Sequence, residues 1–190
     1  MKQELRHLPN LISLGRLSSV PVLGWLAHHH QVEYFPWLLL VAALSDVLDG
    51  WLARRFGWTS RLGAFLDSLA DISLVVVTLY AIWVLHPHVY LVHGMVVWAV
   101  VSVWLVVHVA ALVRYQRLAS FHTRLTRIGI LLFVVFVMLL FFYGFSGWLY
   151  YPAGLICLFG GVESLVMIAL LPQWRPDIPG GLVTVLRERR

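Results

Sequence analysis

Charge is what this sequence has least of. Asp, Glu, Lys and Arg make up 12% of its 190 residues and 61% are hydrophobic. With a mean hydropathy of +0.84, the chain is too apolar for an ordinary soluble domain, in which about 25% of residues are charged. Cysteine is nearly absent: Cys157 stands alone in an apolar run, which excludes an intramolecular disulfide. No internal repeat or low-complexity linker interrupts the chain, so one compact helical domain is expected and a separate soluble domain is not. Nothing resembles a cleavable signal peptide. The first long apolar run ends in HHHQVE without a small-residue cleavage pattern, and is expected to stay as the first membrane helix. The net charge of +5 and pI near 9.8 invite nucleic acid, but the basic residues sit in short loops rather than along one face. Positive-inside topology accounts for them, and no nucleic-acid partner is expected.

What is present is a series of apolar runs of about 18–25 residues, enough to cross a hydrocarbon core of about 30 Å as helix. They run from about Leu11 to Ala27, Tyr34 to Arg54, Leu62 to Leu85, Val89 to Val113, Ile128 to Tyr143 and Leu149 to Leu171. The connections after the first, third and fifth runs carry no Lys or Arg. Those after the second, fourth and sixth carry Arg55 and Arg61, then Arg114, Arg117, Arg124 and Arg127, then Arg175, Arg187, Arg189 and Arg190. This alternation predicts an all-α integral membrane protein of six transmembrane helices with both termini in the cytoplasm. Residues 1–176 form the membrane domain, and 177–190 a short basic tail, surface-lying or disordered.

Against that background the stretch Asp46 to Asp71, DVLDGWLARRFGWTSRLGAFLDSLAD, holds four of the nine acidic residues. Ionised carboxylates at membrane depth cost roughly 2.5–3.5 kcal/mol each on insertion scales, so they persist with partners, a wet cavity or bound cations. Asp46 and Asp49 are three apart and Asp67 and Asp71 four apart, which puts each pair on one helical face. Gly50 and Gly63 remove side chains where a neighbouring helix or ligand must come close. An antiparallel helix pair with a short connection brings the carboxylates to one point at the cytoplasmic boundary. Converging carboxylates suit Mg²⁺ or Mn²⁺, with phosphate oxygens completing the shell; two such ions about 3.5–4 Å apart clamp a phosphoryl group during in-line displacement. The competing account is solvated interfacial carboxylates paired with Arg54, Arg55 and Arg61.

The spacing Asp46-x₂-Asp49-Gly50-x₂-Ala53-Arg54-x₈-Gly63-x₃-Asp67-x₃-Asp71 resembles the signature of the CDP-alcohol phosphotransferases. At residue frequencies of about 5–8%, such a match arises at a given start roughly once in 10⁹–10¹⁰ tries. The six-run layout and the opening LPNLISLGRL are also similar to these enzymes. The resemblance implies transfer of a substituted phosphate from a CDP-alcohol, most often CDP-diacylglycerol, to an acceptor alcohol with release of CMP. It makes Asp46, Asp49 and Asp67 metal ligands for Mg²⁺ or Mn²⁺, as two ions. Asp71 becomes the general base, also in contact with a metal. Asp49, Gly50, Ala53, Arg54 and Gly63 would form the CDP pocket. The family likeness further implies a homodimer in a bacterial inner membrane, its active site facing the cytoplasm. Glycerol 3-phosphate, serine and an inositol compound all stay open as acceptors. The text ISLVVV departs from phosphatidylserine synthases, and Ser68 and Ile72 stand where phosphatidylglycerophosphate synthases commonly carry Pro and Lys.

Three further features bear on the site. Arg16, inside the first run, either faces the carboxylates or snorkels to the interface; with Arg114 and Arg124 it is a candidate for holding an anionic acceptor. Glu163, inside the sixth run, is expected to pair with an arginine. His28, His29 and His30 read as an interfacial loop on the side away from the aspartates. Two other functions compete: a cation transporter or channel using the carboxylates as an ion path, and a non-catalytic membrane partner that keeps the fold.

Overall fold

The computed structural model describes residues 8–56, 58, 61–116, 123–173 and 180–188. Among these, Arg117, Arg175, Arg189 and Arg190 are not included, nor are the side chains of Ala53, Arg54 and Arg61. The described residues are helical without strands: α1 (Leu8–His28), α2 (Phe35–Phe56), α3 (Arg61–Leu85), α4 (Pro87–Tyr115), α5 (Arg124–Tyr143), α6 (Gly147–Leu170) and α7 (Gly181–Glu188). Among the described residues, four stretches are long and apolar enough to cross a membrane: Phe65–Leu85, Pro87–Tyr115, Arg124–Tyr143 and Gly147–Leu170. α1 and α2 have the length of a span but are less apolar, because Ser13, Arg16, Asp46 and Asp49 lie within them. The chain falls into two compact units, Met1–Val89 and Tyr90–Arg190.

In the first unit α1 packs against both α2 and α3. Its core is built from small and branched side chains: Leu23, Ala27, Phe35, Leu39, Ala42, Ala70, Val77 and Ala81 are all buried. Small residues let helix backbones approach closely, the main source of helix association where lipid is the solvent. Apolar side chains such as Val22, Trp25, Val41, Val47, Val76 and Trp83 are exposed. His30 takes a left-handed backbone conformation (φ 54°), and Gln31 donates its N–H to the Leu26 carbonyl at 2.9 Å. This ends α1 and turns the chain towards α2. His28, His29 and His30 are exposed, with His28 Nδ1 3.1 Å from the Tyr80 hydroxyl. They lie about 18 Å along α1 from Arg16, at a 1.5 Å rise per residue.

The second unit is organised by α6, which packs against α5 and α7. α5 starts on Thr123, whose Oγ1 accepts the Thr126 N–H at 3.2 Å, an N-cap that satisfies an otherwise unpaired donor. The α5–α6 contact is close because Gly129 lacks a side chain. A Cβ there would lie 3.1 Å from Cys157 Sγ and 3.2 Å from the Cys157 nitrogen.

Part of the tail is an ordered helix rather than a disordered segment. Residues 181–188 form α7, with Val185 buried in a cluster with Val107, Ala111, Met167, Ile168 and Leu171. The apolar residues Leu182 and Val185 are three apart, so one turn of helix turns both inward. Glu163 holds the start of α7, its Oε1 accepting the Leu182 N–H at 3.0 Å and its Oε2 accepting from Thr123 Oγ1 at 2.8 Å. Among the described residues, this carboxylate is therefore satisfied by a hydroxyl and a helix N-terminus rather than by the arginine expected. The exposed N–H groups and positive end of a helix dipole do the same work as a cation.

Candidate active site

α2 presents Asp46 and Asp49 one turn apart, and α3 presents Asp67 and Asp71 in the same relation. Both pairs meet a single side chain from α1. Arg16 Nη1 donates to Asp46 Oδ1 and to Asp71 Oδ1 at 2.6 Å. Its Nη2 donates to Asp49 Oδ2 at 2.6 Å and to Asp67 Oδ1 at 3.0 Å. One planar guanidinium thus contacts all four carboxylates, a geometry that a fork of N–H donors permits and an ammonium does not. Ser13, three residues before Arg16 on the same face of α1, donates its hydroxyl to Asp49 Oδ2 at 2.8 Å.

Exposure divides the four aspartates. Asp49 is 3% exposed at its side chain, whereas Asp46, Asp67 and Asp71 are exposed at 45%, 45% and 51%. The cluster has one enclosed carboxylate and three that reach the surface. Arg16 is wholly enclosed at its side chain. Among the described residues, two buried side-chain atoms lack a hydrogen-bond partner, Arg16 Nε and Asp49 Oδ1, although buried polar groups are ordinarily paired.

Carboxylate oxygens of Asp46, Asp49 and Asp67 lie within 4.8 Å of one another. The donors are hard oxygens, negatively charged, and include a buried oxygen without a partner. Such a set fits Mg²⁺ or Mn²⁺. Asp71 is not one of the three, and it joins them through the shared Arg16 Nη1.

Sequence spacing therefore located the two acidic pairs. Of its two readings for Arg16, the structure adopts the one that faces the carboxylates. Ser13 escaped that reading; its signal was a hydroxyl three residues before Arg16 in LPNLISLGRL. Gly50 follows Asp49 on α2 and Gly63 lies near the start of α3, both half-buried. The side chains of Ala53 and Arg54 lie outside the described residues. Arg114 and Arg124 belong to the second unit. Arg114 Nη2 donates to the Leu171 carbonyl at 3.2 Å and its guanidinium lies 5.8 Å from the Tyr115 ring centre. It thereby caps the C-terminal end of α6, where a cation is favourable. Arg124 is exposed in the first turn of α5.

Among the described residues, helices of membrane length and three converging carboxylates define an all-helical membrane protein with an acidic centre. More particularly, the chain belongs to the CDP-alcohol phosphatidyltransferase family, whose profile matches residues 6–162. It is similar to a rice CDP-diacylglycerol–glycerol-3-phosphate 3-phosphatidyltransferase of the chloroplast (Oryza sativa subsp. japonica), 41% identical over 90 residues, or 45% of this chain and 27% of the relative. A cardiolipin synthase (CMP-forming) of Streptomyces coelicolor is 42% identical over 78 residues, 38% of this chain and 36% of the relative. A CDP-diacylglycerol–glycerol-3-phosphate 3-phosphatidyltransferase of Wigglesworthia glossinidia brevipalpis is 37% identical over 79 residues, 40% of this chain and 43% of the relative. The matched stretches thus span less than half the length of these relatives. No solved structure matches the chain.

Proposed function

We propose that this chain is a divalent-metal-dependent transferase that moves the phosphatidyl group of CDP-diacylglycerol to an acceptor alcohol and releases CMP. The observation that carries the reading is the convergence of Asp46, Asp49 and Asp67 oxygens within 4.8 Å in a member of this family. Glycerol 3-phosphate is the acceptor we favour, because two of the relatives above are named for it.

Asp46, Asp49 and Asp67 would hold Mg²⁺ or Mn²⁺, as two ions, and when bound these supply Lewis-acid neutralisation of the phosphate oxygens. Asp71, half-exposed beside the trio, takes the proton of the acceptor hydroxyl. The hydroxyl oxygen then bonds to the β-phosphorus, and the bond from that phosphorus to the CMP oxygen breaks, CMP leaving with the electron pair. Ser13 fixes the orientation of Asp49. Asp49, Gly50 and Gly63 would line the CDP side, and the family resemblance adds Ala53 and Arg54 to them. Arg16 remains the acceptor-side candidate within the first unit.

The alternation of basic and uncharged connections supports six membrane helices, both termini cytoplasmic, with the site at the cytoplasmic face of a bacterial inner membrane. A homodimer through membrane helices rests on the family resemblance alone. The test is CMP release from CDP-diacylglycerol by purified protein, with an acceptor panel of glycerol 3-phosphate, serine and inositol compounds, and mass spectrometry of the lipid product. Release that requires an acceptor, stops with EDTA and returns with Mg²⁺ or Mn²⁺ is expected. CMP release unaffected by EDTA, or none with any acceptor, refutes the proposal.

A further inference from the structure

Arg16 stands in an unusual position for a buried cation. Each of its two terminal nitrogens is shared between a carboxylate of α2 and one of α3, so the guanidinium sits at the centre of the cluster rather than against one partner. The oxygens it holds on Asp46, Asp49 and Asp67 belong to the same three residues that converge for a cation. A Mg²⁺ ion demands oxygens at about 2.0–2.1 Å in near-octahedral geometry. Nη2 lies 2.6 Å and 3.0 Å from the Asp49 and Asp67 oxygens. Guanidinium and metal compete for the same space and the same lone pairs, and their like charges repel at this range.

The bonding of Arg16 is also incomplete. A buried polar network that serves as a permanent brace is ordinarily satisfied throughout. Here Nε of Arg16 and Oδ1 of Asp49 are both enclosed and unpartnered: a free donor on the guanidinium, and a free acceptor on the most buried carboxylate. The first suits an anionic oxygen such as that of a phosphate, and the second suits a cation.

We propose that Arg16 is an exchangeable internal counter-ion, which neutralises the four aspartates until divalent ions take their oxygens and is then released towards the phosphate-bearing substrate. This rests on the metal-binding reading above and makes Arg16 a positioning residue of the metal site rather than a ligand. The exchange sets metal affinity: ions bind only as tightly as they can outcompete the guanidinium.

The experiment is a Mn²⁺ titration of the purified full chain in detergent, stripped with EDTA and dialysed, without nucleotide. Bound ions are followed by electron paramagnetic resonance and thermal unfolding is measured in parallel. Arg16→Gln should bind Mn²⁺ about tenfold more tightly or better, since it removes a full competing charge at contact distance. Arg16→Lys, a cation without the fork, should fall between Arg16→Gln and the unchanged chain. Without metal, Arg16→Gln should melt below the unchanged chain, and the gap should close at saturating Mn²⁺. Should Arg16→Gln fail to fold, tighter binding by Arg16→Lys carries the same conclusion. Equal or weaker affinity in the variants, or a melting gap that persists with Mn²⁺ bound, makes Arg16 a fixed brace and overturns the exchange. Absence of Mn²⁺ binding by every form, the unchanged chain included, overturns the metal reading itself and the exchange with it.

Discussion

Replacing Asp71 with Asn separates the role of base from that of metal ligand. Asn keeps the shape of the side chain and removes its charge and its ability to take a proton. Asp71 accepts one bond of 2.6 Å from Arg16 and is half-exposed, while Arg16 retains Asp46, Asp49 and Asp67. The folding cost is therefore that of a half-exposed ion pair, below about 1 kcal/mol. In a chain of this size that moves the melting midpoint by about 4 °C at most. A positioned general base contributes about 10²–10⁴ in rate, or roughly 3–5 kcal/mol of barrier. The chemical loss thus exceeds the structural one several-fold, and the two can be read apart. CMP release from CDP-diacylglycerol and glycerol 3-phosphate should fall by about 10²–10⁴. Mn²⁺ affinity should fall by no more than about 10–100-fold, because the trio Asp46, Asp49 and Asp67 is intact and Asp71 acts from beside it. Release within about threefold of the unchanged chain refutes the role of base. A loss of Mn²⁺ binding as deep as that of Asp49→Asn makes Asp71 a principal ligand instead.

Three other outcomes follow from the packing. Asp49→Ala removes the one enclosed carboxylate that Arg16 and Ser13 bond, although Arg16 keeps Asp46, Asp67 and Asp71, and should destabilise by about 1.5–3 kcal/mol, read by thermal unfolding in detergent. Gly129→Val places a branched side chain where a Cβ alone already lies 3.1 Å from Cys157 Sγ, and should cost about 1–3 kcal/mol on the same assay. Gly181→Ala meets both a positive φ of 56° and Glu163 Oε1, which would lie 1.9 Å from the new Cβ. It should release α7, so limited proteolysis should cut the C-terminal segment faster than in the unchanged chain.

The parts of the molecule legible in the sequence are those set by local periodicity. Asp46 with Asp49, and Asp67 with Asp71, declared their shared faces through spacings of three and four, and the apolar runs declared helices close to their observed bounds. What periodicity does not carry is which face of one helix meets another. Arg16 therefore has two readings, because a single arginine in an apolar run looks the same whether it snorkels or turns inward; only α1 packing against both α2 and α3 decides. The partners of Glu163 were missed for a related reason. An arginine is visible as a letter, whereas the N–H at the start of α7 is carried by every residue except proline, and becomes a partner only once the tail folds back. α7 itself is short, and its inward face rests on two apolar residues, Leu182 and Val185, too few to mark a helix before its docking cluster is known.

The contact between Gly129 and Cys157 has a practical side. Cys157 is the one cysteine of the chain, and its sulfur lies against α5 in the span Gly147–Leu170. Maleimides and nitroxide thiosulfonates react with thiolate, a species that water stabilises and hydrocarbon does not. The natural sequence is thus already a silent background for site-directed labelling. A cysteine introduced at the exposed Val32, in the turn between α1 and α2, would carry a spin or fluorescent probe by itself. Whether α1 responds to metal could then be read without first engineering the native thiol away.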